Sequence, residues 1–348
     1  MPEVRRLQKL GSTSLVVTLP HKWVRQKGLK VGDTIYLEET PEGLKIDTAT
    51  PNYNPITCII DADKVGSPSS LAKLVAACYL QGYDVVRIVS MNGLTSDHLS
   101  EIHSIVEELP GFEMMSQDAN SVTVQSIIDP TKFRVEALIK RMQVLCASML
   151  TASIDALLES MPEKVGEVAS MEKKLDELYF LAVRQVLTVL RFPSLAKSLG
   201  IGSYTEASGY RLVAKVLEEI GDHALVISKE VFLLGEKGSL SKSANSRQLL
   251  SIIDNVVHIF GRAVNSFISV DFKLASEVFD ELKKEMERIR QFEVMGLEKI
   301  KDSDAAVSVR VVLSRITDVL NGCKIISEVA INKFVKRPSE ICSFENLS

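Results

Sequence analysis

The chain has 348 residues, room for two or three domains, and its 46% hydrophobic and 25% charged content is that of an ordinary globular protein. A net charge of −4 excludes a molecule that binds polyanions over its whole surface. The five scattered cysteines (Cys58, Cys78, Cys146, Cys323, Cys342), with no C-x-x-C pair, exclude a disulfide framework or thiolate zinc site and predict a reducing, cytoplasmic setting. No apolar run reaches spanning length and no secretion-signal pattern opens the chain, so membrane insertion is not expected.

Charge is uneven along the chain. Residues 1–30 hold seven basic side chains against one acid, Glu3, which leaves the remainder at −10. A basic terminal module of this kind is suited to meet an anion, nucleic acid included. Within residues 1–50, alternation predicts strands at Val4 to Leu10 and Leu15 to Leu19 around a Gly11-Ser12-Thr13-Ser14 turn. Pro20 opens a short helix, Gly28 closes it, and two more strands follow, Thr34 to Glu39 and Leu44 to Asp47. The result is a β-β-α-β-β unit with little core of its own.

The G-x-x-S turn, the V-V-T-L-P strand end, the L-K-V-G-D turn and the closing hairpin resemble the AbrB/MazE/SpoVT swapped-hairpin family. That resemblance implies an intertwined homodimer in which two chains complete one β-barrel and present basic side chains to DNA. It implies DNA contact through Arg5, Arg6, Lys9, Ser12, Lys22 and Arg25, with Thr13 in the same turn. Serine and threonine stand where that turn often carries arginine, so phosphate contact is expected in place of strong base readout.

Residues 51–129 open on a Thr-, Asn- and Pro-rich linker, Thr48 to Pro55, and then read as a small α/β module. Strands are predicted at Ile56 to Asp61, Asp84 to Ser90, Glu113 to Ser116 and Ser121 to Ile127. Helices are predicted at Ser69 to Gln81, burying Leu71, Leu74, Val75 and Cys78, and at Thr95 to Leu109. His98 and His103 are five apart and read as surface residues. No motif in this stretch carries chemistry.

Asp129 and Pro130 supply an N-cap and a first helical position, and Val135, Leu138, Met142, Leu145, Met149 and Ala152 continue at helical spacing. Further helices are predicted at Val165 to Leu190 and Glu206 to about Leu234, then around Leu249 to Val264, Leu274 to Ile300 and Ala305 to about Val335. Three helices occur twice, which predicts two antiparallel three-helix bundles, residues 130–236 and 237–337, before a tail at 338–348. A multidomain chain results: swapped hairpin, α/β module, twin bundles.

The stretch V-L-E-E-I-G-D-H-A-L-V-I, from Val216 to Ile227, carries Leu217, Ile220, Ala224 and Ile227 on one face. Glu218 and Asp222 stand one turn apart on the next face. Glu172 and Asp176 form a second such pair upstream. Two helices each offering two carboxylates could hold a metal ion through hard oxygen ligands; solvated helix faces are the plainer alternative. The second half echoes the first. V-V-L-S-R-I-T-D-V-L at residues 311–320 pairs Glu218 with Ser314 and Asp222 with Asp318, while Glu172 meets Asp280 and Asp176 meets Lys284.

These repeats, and L-E-x-I-G-D-H-A above all, resemble the PhoU family of phosphate-uptake regulators, and joined to a swapped hairpin the chain looks like an archaeal PhoU-type regulator. The resemblance implies a divalent metal (iron, zinc, manganese, magnesium or nickel type) on Glu172, Asp176, Glu218 and Asp222, with at most this one intact site because Lys284 and Ser314 replace two acids in the second repeat. It also implies a phosphate transporter ATPase subunit as a partner. Two functions follow: a DNA-binding transcriptional regulator of phosphate uptake, or an interaction protein with no DNA role that restrains a phosphate transporter. No catalytic motif is present, and Glu219 with His223 lacks the Glu-x-x-His spacing of di-iron bundles, so no enzyme is expected.

Overall fold

The computed structural model of the chain describes residues 3–40, 43–48, 55–129, 132–159, 162–236, 244–300, 302–336 and 338–343. It divides into two units, Met1–Asn54 and Pro55–Ser348.

In the first unit, β1 (Gln8–Leu10) pairs antiparallel with β2 (Ser14–Val16). The helix α1 (His21–Gln26) follows, and then β3 (Tyr36–Thr40) pairs antiparallel with β4 (Gly43–Asp47). The first two strands are shorter than their alternation predicts. Among the described residues each of these hairpins pairs only with itself, as two separate two-stranded sheets. Among the described residues of this unit no side chain is buried. Leu10, Leu15, Leu37 and Leu44 are 64%, 64%, 61% and 59% exposed. Isolated two-stranded hairpins have too little surface to enclose a core, which explains both facts.

The second unit opens with a four-stranded sheet in the order β5-β6-β8-β7, built from β5 (Thr57–Asp61), β6 (Val85–Val89), β7 (Phe112–Gln117) and β8 (Ser121–Ser126). The β5–β6 pair is parallel and the others antiparallel. Two helices, α2 (Pro68–Leu80) and α3 (Ser96–Glu108), pack Leu71, Val75, Tyr79 and Ile102 against Val86, Ile88, Val122 and Val124. Leu74, expected in this core, is 43% exposed, because the buried stripe of α2 runs through Leu71, Val75, Cys78 and Tyr79. His98 caps α3: the Thr95 N–H donates to its Nδ1 at 3.3 Å, and its own N–H donates to Thr95 Oγ1 at 3.2 Å.

Six long helices complete the unit: α4 (Val135–Glu159), α5 (Pro162–Arg191), α7 (Tyr204–Glu236), α8 (Ala244–Ser269), α9 (Phe272–Met295) and α10 (Ser303–Phe334), with a single-turn α6 (Ala196–Leu199) between α5 and α7. The first three pack together, the last three pack together, and α7 on α10 with α4 on α8 fuses them around one apolar core. The α4 helix starts later than Pro130, which lies outside the described residues. Its first turn closes on the Arg134 carbonyl, which accepts from Ala137 and Leu138. The α9 helix stops at Met295, and a short 3-10 turn carries the chain through Leu297–Lys299.

The α/β layer is tied to α5 by one buried cation. Arg184 is 4% exposed. Its guanidinium donates to the carbonyls of Tyr79 (2.7 Å) and Tyr83 (2.8 Å) and to Asp84 Oδ1 (2.9 Å), and lies over the Tyr79 ring. Asp84 Oδ2 also accepts from the Ile56 N–H at 2.8 Å. An arginine in the largely apolar L-A-V-R-Q-V-L run is the sequence signal for this joint, and spacing alone does not say what it meets.

Candidate metal centre

Helices α5 and α7 are positioned by their apolar stripes: Val168, Leu175, Leu178 and Ala182 on one, Leu217, Ile220, Ala224 and Ile227 on the other, all buried. Gly221 sets their closeness. A Cβ there would fall 2.1 Å from Leu175 Cδ2. A mid-helix glycine costs ~1 kcal/mol against alanine, and here the missing side chain lets α5 approach one residue before Asp222. In the sequence this glycine is only part of a motif; what it touches depends on which helix lies alongside.

That approach brings the acids together. One carboxylate oxygen each from Glu172, Asp176 and Asp222 lie within 4.8 Å of one another. Among the described residues this is the one such group of potential metal ligands. Glu172 and Asp176 are half-buried and Asp222 is exposed. Glu218 stands one turn away with its own partner: Lys215 Nζ contacts its Oε2 at 2.5 Å and Glu219 Oε1 at 3.6 Å.

Electrostatics record the crowding. Burial first, then the charges of Glu172, Glu218, Asp222 and Glu108, push the Asp176 carboxyl up to about 7. Burial, then Asp222, raises Glu172, with Lys173 and Lys229 opposing. Burial raises Glu218, and Lys215 pulls it back. A cation among the three clustered oxygens would relieve both the burial cost and the repulsion. The site opens on an acidic cleft of about 510 Å³ that α3 shares, through Ser104, Glu107 and Glu108, with Glu172, Asp176 and Glu177 of α5.

The second repeat treats its corresponding positions differently. Asp318 is paired with Arg315 at 3.0 Å. Lys284, Asp280 and Ser314 are exposed. Nearby, Arg262 pairs with Glu277 (2.6 Å) and Glu281 (3.1 Å). Among the described residues these positions do not gather into a carboxylate cluster like that of the first repeat.

The residues singled out for DNA contact in the first unit, five of them basic, are all exposed. Arg5 and Arg6 precede β1, Lys9 lies on it, Ser12 is in the β1–β2 turn, and Lys22 and Arg25 are on α1. Arg5 contacts Glu3 at 2.5 Å.

Residues 139–231 match the PhoU domain family, a segment running from α4 through α7 that contains all four acids. Among solved structures, the chain is similar to PhoU from Pseudomonas aeruginosa, at 16% identity and TM-score 0.46 over 57% of this chain and 93% of that one. It is also similar to the phosphate transport system regulatory protein PhoU from Streptococcus pneumoniae, at 14% identity and TM-score 0.49 over 58% of this chain and 94% of that one. No curated protein matches it. Among the described residues no helix is long and apolar enough to cross a membrane.

Proposed function

We propose that this chain is a PhoU-type regulator of phosphate transport that acts by binding, not turnover, and restrains a transporter by docking on its ATPase subunit. One observation carries the reading: within the segment that matches the PhoU domain, Glu172, Asp176 and Asp222 converge across α5 and α7. Hard carboxylate oxygens suit a divalent ion of the magnesium, manganese, iron, zinc or nickel type, which would supply positive charge at this surface. Glu172, Asp176 and Asp222 would hold the ion, and Glu218, tied to Lys215, would bound the site. The cleft beside these carboxylates would leave room for a contact from a partner to the bound ion.

A direct test is capture of the purified transporter ATPase subunit by the full chain, with manganese and with chelator. The reading expects retention that chelation weakens by about tenfold or more, as loss of a coordinated charge at an interface does. Equal retention in both conditions would remove the metal from the function, and no retention would remove the docking.

A second reading, that the chain also binds DNA as a homodimer, is favoured by the first unit. Six residues of a basic surface are exposed beside unburied leucines that one chain does not cover. The reading expects binding to its own upstream DNA that falls steeply with salt and drops in Arg5→Ala with Arg25→Ala.

A further inference from the structure

At the start of α7, Thr205, Ser208 and Gly209 meet Asn332, Lys333 and Lys336 from the end of α10 around a cavity of about 240 Å³. Its lining also includes the apolar side chains Leu212, Phe267 and Val329. Its wall holds Lys333, nine-tenths buried. The Lys333 ammonium lies 3.2 Å from the Tyr210 hydroxyl and 3.3 Å from Glu206 Oε1, and 4.7 Å from the centres of the Tyr210 and Phe267 rings. Glu206 is already engaged on its other oxygen, which accepts from the Gly202 N–H at 2.7 Å.

Charge does not balance there. Glu206 pairs with Lys333; Glu136, which also feels Lys333, is held by Lys140 at 2.7 Å; and among the described residues Lys336 forms no ion pair of its own. Partial burial holds Lys336 below the usual lysine range; Glu206 opposes this and Lys333 adds to it. The first turns of α7 add the partial positive charge of a helix N-terminus. Three features therefore meet at one opening: a lysine with no ion pair, a buried lysine held by Glu206, and the polar side chains of Thr205, Asn332 and Ser208, the last donating its hydroxyl to the Thr205 carbonyl at 2.8 Å. The cavity is smaller than the ~300 Å³ at which drug-sized sites begin.

We propose that this cavity binds a small organic anion, a carboxylate or phosphate monoester joined to a short apolar body. Lys336, with the Asn332 amide and the Thr205 hydroxyl, takes the anionic head beside Ser208, Lys333 supports it from the wall, and Leu212, Phe267 and Val329 take the apolar body. The site is separate from the carboxylate cluster: Ser208 and Asp222 are 14 residues apart on one helix, about 21 Å along its axis. It stands or falls without the metal.

Calorimetric titration of the full chain at low salt tests this, with phenyl phosphate, inorganic phosphate and benzyl alcohol as probes. Phenyl phosphate binds saturably, inorganic phosphate about fivefold more weakly, and benzyl alcohol not measurably. Lys336→Gln weakens phenyl phosphate about fivefold and Lys336→Arg restores it. Ser208→Glu abolishes it; Ser208 is exposed, and an acid in the first turns of a helix does not unfold it, which circular dichroism verifies. The assignment is overturned by an absence of saturation in the parent chain, by binding unchanged in Lys336→Gln and Ser208→Glu, or by inorganic phosphate binding as tightly as phenyl phosphate.

Discussion

Asp176 has the largest shift in the carboxylate cluster, and the sign of its effect on stability is fixed. Its folded value, about 7, lies above the unfolded value near 3.8, so the folded state holds the proton more tightly. The contribution of Asp176 to metal-free stability is therefore full below about pH 4, falls as the pH rises toward 7, and levels off above it. Thermal melts in chelator across this range show the slope, and Asp176→Asn flattens it while raising metal-free stability at pH 7 by on the order of 1–2 kcal/mol. The same substitution weakens manganese binding. Glu218→Gln leaves manganese affinity within about threefold, because Lys215 already holds that carboxylate, whereas Asp222→Asn lowers it by about tenfold or more. Sequence spacing put all four acids on facing helices. It could not say which three converge, since that depends on helix rotation, and the Lys215–Glu218 contact was visible only as an i, i+3 pair.

Individual elements show where periodicity suffices and where it does not. The six long helices, the α2 and α3 helices and the four strands of the α/β sheet stand within a few residues of their predicted places, because burial of one face is what both periodicity and folding require. Contacts between elements were not legible. Arg184 holds the α/β layer on α5, and replacing it leaves Asp84 buried without its charge partner. Arg184→Met should cost about 3–5 kcal/mol and loosen α2 from α5, read as faster amide exchange in α2 before global unfolding. Gly221→Val forces α5 off α7 at Leu175; it should cost about 1–3 kcal/mol and weaken manganese binding together, although residue 221 offers no ligand. A variant that loses stability and keeps full affinity would separate the glycine from the site.

Across the whole molecule, a cationic unit at residues 1–54 precedes a larger, acidic one, and the two differ in how far a single chain satisfies them. The second has a continuous core; the first has no buried side chain among its described residues. Deleting residues 1–54 should turn a dimer into a monomer by light scattering while metal binding persists; an unchanged mass would place dimerisation elsewhere. The twofold echo between the helical halves was legible because both bury the same stripe, and so was its limit, the loss of two acids in the second half. The pairing of Arg262 with Glu277 and Glu281 required coordinates, because these acids lie fifteen and nineteen residues away in the chain.

The account rests most directly on a cation between α5 and α7. Manganese titration of the full chain, beside the Glu172→Gln, Asp176→Asn, Asp222→Asn triple variant, measures it. A single saturable ion per chain that vanishes in a folded triple variant is the predicted result; an undiminished ion in that variant, or none in the parent chain, contradicts it.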